Sequence, residues 1–473
     1  MRLQKQNRAY MRVLTKEKIE RIYNASMDVA ETIGFKIYNK EALGLLNDAG
    51  AHVCQDGYVK IPSHIIERAI SCAPRRITIY DQNKKAAMYL GDDNIYFGNT
   101  CDTFHYLDPY TDKRIPLASE HVKYLAKIGD YLKNIDFVYT IGLIKDYEAE
   151  LCSRMSFLHA MENTSKPINF TVNDAASCKD IIALCQDVAG GAEQLRSFPY
   201  IFQYCEPIPP LVHDNESLQK LLDCAAAGVP LVYLPYGLMG GTTPMSFAGT
   251  LVQLFADIFC GLVIHQAKAP HAPFIIGAMP ATMDMKSTIG TYATPEMHML
   301  AAAASEISSH IKVPFYGTAG CTDAKLLDYQ AIMETTMTCF SAMMSKTDLV
   351  HDVGFMDSSN MLSPELIVLA DEIISALSVY RTGVSVNDND LVLDVIEETG
   401  IGGNYITCDH TLDNYRNVFY SDIFDRSINY TLPSANQKIK EKTIKIIEEY
   451  SPKAKDKAIA EIMNAHREKW IRI

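Results

Sequence analysis

Residues 274–317 read FIIGAMPATMDMKSTIGTYATPEMHMLAAAASEISSHIKVPFYG, and the fold class turns on this stretch. Its two ends, Phe274–Met279 and Val313–Gly317, are short apolar and β-prone runs. Between them, Thr294-Pro295-Glu296 sets a capping hydroxyl, a first-turn proline and a dipole-suited acid ahead of helix-like sequence. Strand, helix, strand is the unit of a parallel sheet with covering helices. The alternation continues outward on both sides, with strand-like runs at Asp136–Leu143, Pro167–Val172, Tyr200–Cys205 and Pro230–Tyr236 before it and Asp348–His351 after it. Thr243-Pro244 and Ser363-Pro364-Glu365 repeat the helix-start signal. Seven such strands predict an α/β protein of the (β/α)8 TIM-barrel type rather than an open sheet. An eighth strand is expected at Tyr405–Cys408 or in the β-rich patch Asn94–Ile115, which turns at Asp108-Pro109.

Outside that alternation the pattern changes. Lys16–Ile33 and Lys40–Ala49 read as amphipathic helices, and Ala51–Pro62 as a hairpin turning at Gln55-Asp56-Gly57. The chain thus divides into an N-terminal helical and β-hairpin extension (1–135), a barrel (136–436) and a charged C-terminal helical tail (437–473) that carries the one tryptophan, Trp470.

The formal net charge of −13, with no basic stripe, argues against nucleic acid as a partner. The 12 cysteines show no CxxC spacing and read as reduced, mostly core thiols. The basic N-terminus, MRLQKQNRAYMRV, is followed by no apolar core, so it predicts no signal peptide. Ser246–Ala267 is apolar enough to suggest a membrane, but Gln253, Asp257, His265 and Gln266 point to a buried or interface helix. These features predict a cytoplasmic, non-membrane protein, and that helix makes a homo-oligomer the expectation.

In such a barrel, chemistry sits where strands end on the C-terminal face. The residues there are Asn173, Glu206, Tyr236, Met279, Thr318 to Thr322, His351 and Asp352. A glutamate and a histidine at strand ends can serve as acid, base or ligand, or simply order their loops. Neither HxH nor HExxH occurs, and His52-Val53-Cys54 and Cys408-Asp409-His410 lie away from any barrel strand end, so no bound metal is expected. Gly237–Gly241 (GLMGG) is neither GxGxxG nor a P-loop and reads as a tight strand–helix loop. Aromatic residues near the expected mouth could hold a methylated ammonium by cation–π attraction, worth ~0.5–2 kcal/mol each.

Several segments, in order, carry a likeness to a known family: NTSKPINF at Asn163, PIPPL at Pro207, GGTTPMSFAGTLVQ at Gly240, MPATMDMKSTIGTYATPE at Met279, GTAGCTDAKLLDYQA at Gly317, HDVGF at His351 and DHTLDNYR at Asp409. From Tyr96 to Arg426 the chain resembles the trimethylamine methyltransferase family. The resemblance implies a (β/α)8 barrel and a corrinoid (cobalamin) carried by a partner protein that docks over the mouth, with cob(I)alamin taking the methyl group. Family members that act on trimethylamine carry pyrrolysine near the segment written here Gly317-Thr318-Ala319-Gly320-Cys321, where this chain has only standard residues.

A neutral tertiary amine must leave as an amide anion unless it is first made cationic, whereas a quaternary ammonium leaves as a neutral amine and needs mainly positioning. The expected substrate is therefore a quaternary amine of betaine type: glycine betaine, proline betaine, carnitine, butyrobetaine or choline. Glu206 and His351 are the expected polar groups facing corrin or substrate. Phe97, Tyr236 and Phe355 form the expected ammonium cage, and Gly317, Thr318 and Gly320 the cofactor side. A catalytically silent amine-binding barrel and a metal-dependent hydrolase are the competing readings.

Overall fold

The computed structural model describes residues 9–472 apart from Cys101 and Tyr430. Eight parallel strands close a barrel in chain order: β1 (Tyr96–Asn99), β2 (Phe137–Tyr139), β3 (Ile168–Phe170), β4 (Ile201–Cys205), β5 (Leu231–Tyr233), β6 (Phe274–Gly277), β7 (Phe315–Thr318) and β8 (Leu349–Val353). Closure is made by β8 on β1, with Leu349 opposite Tyr96 and Val350 opposite Phe97. The eighth strand therefore comes from the Asn94–Ile115 patch and is the first in the chain, while Tyr405–Cys408 forms no strand. The barrel thus begins inside the segment assigned to the extension. Gly98 explains why β1 looked weak. A Cβ there would lie 2.0 Å from the Phe137 ring, so the packing requires a residue that lowers strand signal.

One main helix follows each strand: α1 (Ser119–Tyr131), α2 (Ala149–Glu162), α3 (Ala175–Ala189), α4 (Asn215–Ala227), α5 (Phe247–Lys268), α6 (Pro295–Ile311), α7 (Tyr329–Met343) and α8 (Pro364–Thr382). The start signal holds in full for α8, where Ser363 accepts from the Leu366 N–H at 3.1 Å; α6 opens on Pro295 after Thr294, but the Thr294 hydroxyl pairs with that of Thr282 and does not cap. For α5 the cap is Ser246 instead, and the Thr243 hydroxyl pairs with that of Thr250. Helix α5 is long and apolar enough to cross a bilayer, yet 72% of its most apolar window is buried. The N-terminal helices Lys16–Asp28, Lys40–Ala49 and Ser63–Cys72 pack against it. Most of its apolar surface is covered within the chain. The tail forms α9 (Ala435–Glu449), packed on α1 and α8, and α10 (Lys457–Ile471), packed on α2 and α3 with Trp470 fully buried.

The two barrel ends are finished differently. Below, the hairpin Ile77–Tyr80/Ala86–Leu90 closes the N-terminal end, tied by Tyr80 N–H to Pro199 O (2.8 Å) and Gly91 N–H to Asp348 Oδ1 (2.6 Å). Its Ile77, Ile79, Met88 and Leu90 join Phe137, Phe202, Val232, Ile275 and Leu349 in one core. Above, two small sheets flank the mouth. Tyr236–Met239 pairs with Met279–Asp284, which pairs with Ile289–Thr291, so Gly237 to Met239 belong to a strand rather than a tight loop. The hairpin His105–Asp108/Lys113–Pro116, turning at Asp108-Pro109 as expected, pairs with Met361–Leu362.

Candidate active site

Strand periodicity of two decides which side chains enter the lumen. On β4, Phe202 and Tyr204 face inward and Glu206 continues that phase. On β7 it is Tyr316 and Thr318, on β2 Phe137 and Tyr139, and on β8 Leu349 and His351. Phe97 is out of phase: its neighbour Tyr96 packs with the lumen core, while Phe97 lies in the core between sheet and helices. It is not brought to the other expected cage residues.

His351 is fully buried among three tyrosine rings, with centroids at 4.7 Å (Tyr316), 5.5 Å (Tyr204) and 6.1 Å (Tyr139). Tyr204 donates to Glu206 Oε1, and Tyr316 donates to Asn169 Oδ1 at 2.5 Å. Strand ends from opposite sides of the barrel, β4 with Glu206 and β8 with His351, therefore meet in one cluster. A bulge between Val350 and Val353 interrupts the pairing of β8 with β1, and Asp352 within it takes φ 74°. Left-handed backbone costs ~1–2 kcal/mol for most residues and is best tolerated by Gly, Asn and Asp. The bulge re-aims consecutive side chains toward one another. Asp352 Oδ1 stands 2.5 Å from His351 Nδ1, and Asp352 Oδ2 accepts from the Thr318 hydroxyl. With Nδ1 facing Asp352, the other ring nitrogen, Nε2, is buried without a hydrogen-bond partner among the described residues. Unmet polar atoms of that kind are costly unless something binds them.

Glu206 retains solvent access through the mouth. Its carboxyl is pushed up chiefly by the loss of water around it and by the like charge of Asp102, against the Tyr204 hydrogen bond and the pull of His351 and Lys220. Asp102 accepts from the Gly142 N–H at 2.6 Å, and burial raises it to about 6. A second aromatic run borders the same core. Tyr236 stacks on Tyr292 (6.0 Å, 22°), and Tyr292 meets Phe355 edge-on (5.5 Å). The Tyr292 backbone is clamped by Asp323 Oδ1 at 2.9 Å.

Gly317, Thr318 and Gly320, expected on the cofactor side, are all buried. The Thr318 hydroxyl is committed to Asp352, and the Gly320 N–H donates to Thr338 Oγ1 at 3.0 Å. Gly320 has φ 75°, and a Cβ would come within 2.8 Å of Val353. They shape the His351–Asp352 turn from behind and present no open surface. His52 and Cys54 are exposed on the N-terminal sheet, and Cys408 and His410 lie outside the barrel. Among the described residues no group of three or more His, Cys, Asp or Glu is arranged to hold a metal. Tyr139 and Tyr204 went unnoticed in the sequence, although counting by two from Glu206 reaches Tyr204. Asp102 and Tyr292 sit in loops, where no spacing marks them.

The family model for trimethylamine methyltransferase (MTTB) matches residues 1–470. The chain belongs to the trimethylamine methyltransferase family. Trimethylamine methyltransferase MttB of Desulfitobacterium hafniense is 28% identical over 94% of this chain and 91% of its own length. Glycine betaine methyltransferase of D. hafniense is 25% identical over 94% of each. Among solved structures, monomethylamine methyltransferase MtmB of Methanosarcina barkeri covers 96% of this chain and 97% of its own, with a TM-score of 0.49 and 11% identity.

Proposed function

We propose that this chain moves a methyl group from a quaternary amine of betaine type to the corrinoid of a partner protein. The observation that carries the proposal is the meeting of Glu206, three tyrosine rings and a buried histidine whose Nε2 has no partner among the described residues at one barrel mouth. Acidic Glu206 and Asp102 oppose a fixed positive charge, and ring faces add cation–π attraction of ~0.5–2 kcal/mol each. Tyr204 orients the Glu206 carboxylate. His351, tethered by Asp352 and Thr318, offers a ring nitrogen to a polar end of the substrate. The Tyr236–Tyr292–Phe355 run takes the place expected of the Phe97 cage. No proton is removed from the substrate when methyl is displaced, so no general base is assigned; these groups position.

The corrinoid would supply the cobalt(I) nucleophile that accepts the methyl group. Exposed apolar side chains fit a protein-borne group at the mouth: Phe104, Ile208, Met245, Met285, Leu326 and Tyr329 stand beyond β1, β4, β5, β6 and β7. Relatives named for trimethylamine and for glycine betaine support a methylated amine as substrate. The leaving-group argument favours the quaternary one.

The test is to give the purified chain cob(I)alamin and a panel of glycine betaine, proline betaine, carnitine, butyrobetaine and choline, and to follow methylcobalamin by absorbance. Transfer from at least one is expected. Saturable binding without transfer would contradict it and favour a silent amine-binding barrel, and transfer that vanishes on chelation and returns with zinc would favour metal chemistry.

A further inference from the structure

Between α8 and α9 the chain makes an excursion, residues 383–434, that its own fold does not cover. From Val384 to Asp422 no residue is buried. The segment nevertheless holds three short helices, Asp388–Leu391, Leu393–Thr399 and Asp409–Asn414. Helices this short do not persist in water unaided. The excursion is also rich in large apolar side chains, among them Val384 (79% exposed), Leu393 (69%), Ile401 (110%), Ile406 (79%), Tyr420 (67%) and Ile428 (92%). Together its exposed apolar residues present on the order of 1,500 Å², well above the few hundred Å² of apolar patch that a solitary protein tolerates. That area, given by each of two chains, matches the roughly 2,000–5,000 Å² of an obligate homodimer.

We infer that residues 384–422 are an arm that packs on a second copy of this chain, each copy embracing the other. Both arm ends are anchored on their own barrel, since α9 returns to α1 and α8. The body carries an apolar groove of about 540 Å³ between the helix Lys16–Asp28, α5 and α6, lined by Ile22, Leu251, Leu300 and the partly exposed Phe247 and Met299, with Lys18 and Arg21 alongside. The chain's own arm does not line it. Charge is complementary: residues 383–429 hold nine carboxylates against two arginines, and the groove offers two cations. Arm and groove on one chain can satisfy each other reciprocally, as closed two-fold symmetry requires. A carrier protein that comes and goes with turnover would leave the arm bare between visits; a second copy covers it throughout.

Light scattering on the purified protein alone should give twice the 52.8 kDa chain mass or an even multiple. Ile401→Asp combined with Ile406→Asp should halve that mass while circular dichroism of the barrel stays unchanged, because both side chains are free in the single chain. Phe247→Asp should do the same from the groove side. Hydrogen exchange gives an independent readout: amides of Leu393–Thr399 should be protected in the parent and exchange at least about 100-fold faster in the arm variant. A monomeric parent, an arm variant of undiminished mass, a Phe247→Asp dimer, or arm amides exchanging freely in the parent would each overturn the inference.

Discussion

The two ends of this barrel are built from the same eight strands and do opposite things. At the N-terminal end, Ile77, Ile79, Met88 and Leu90 fill the lumen against Phe137, Phe202 and Leu349. At the C-terminal end the same strands, a few residues on, carry Glu206, a buried His351 whose Nε2 has no partner among the described residues, and Asp352 in a left-handed conformation. One end lowers the free energy of the fold, and the other spends some of it on groups that only a ligand can satisfy. The contrast implies that substitutions below should move stability and leave chemistry alone, while substitutions above should change the chemistry per folded molecule.

The largest effect should come from below. Ile79→Ala removes a fully buried side chain from the hairpin plug and should cost ~2–5 kcal/mol in denaturant unfolding. Transfer rate per folded molecule should stay at the parent value. A rate that falls with stability intact would place function at the wrong end.

From above, His351→Ala should slow methyl transfer by about one to two powers of ten, equivalent to ~1–3 kcal/mol for one lost hydrogen bond to a polar or charged partner. The ring fills a fully buried site beside Asp352, so its removal should also cost stability, and the rate is compared per folded molecule. His351→Asn, which keeps a donor, should lose less. A folded alanine variant at the parent rate would make His351 a structural residue.

Glu206→Gln sharpens the contrast, since stability and function should part. Its carboxyl is held above the ordinary value, so the ionised form disfavours folding once pH exceeds its unfolded value. Removing the charge should raise the melting temperature slightly and raise KM for a quaternary amine on the order of tenfold. Lower stability with unchanged KM would contradict it.

Smallest is the pH effect of Asp102, raised to about 6 by burial. A group raised on folding contributes stability that is full below its unfolded value and lost as pH rises through about 6. Binding runs the other way: the negative charge disappears as pH falls through the same region, so KM should climb by a few-fold. A quaternary amine does not titrate, so the profile reports the protein, and Asp102→Asn should flatten it.

Much of the barrel was legible because parallel strands buried on both faces leave short apolar runs, and seven of them stood clear. The eighth was obscured by Gly98, which the Phe137 ring demands. At the site, Glu206 and His351 could be found as the polar residues that end apolar strands. Phe97 was misplaced because its strand was not recognised, and without the strand there is no phase to show that Tyr96, not Phe97, faces inward. The Thr318–Asp352 tie and the Tyr292 stack join residues distant in sequence, or pair strand with loop, and no local pattern records such contacts.

The most direct measurement compares initial rates of methylcobalamin formation from a quaternary amine and from trimethylamine, at equal concentration, with the same enzyme and cob(I)alamin. A site that positions a cation and assigns no residue to activating a neutral amine should transfer from at least one betaine-type compound far faster than from trimethylamine. Comparable rates for the two, or faster transfer from trimethylamine, would contradict the account.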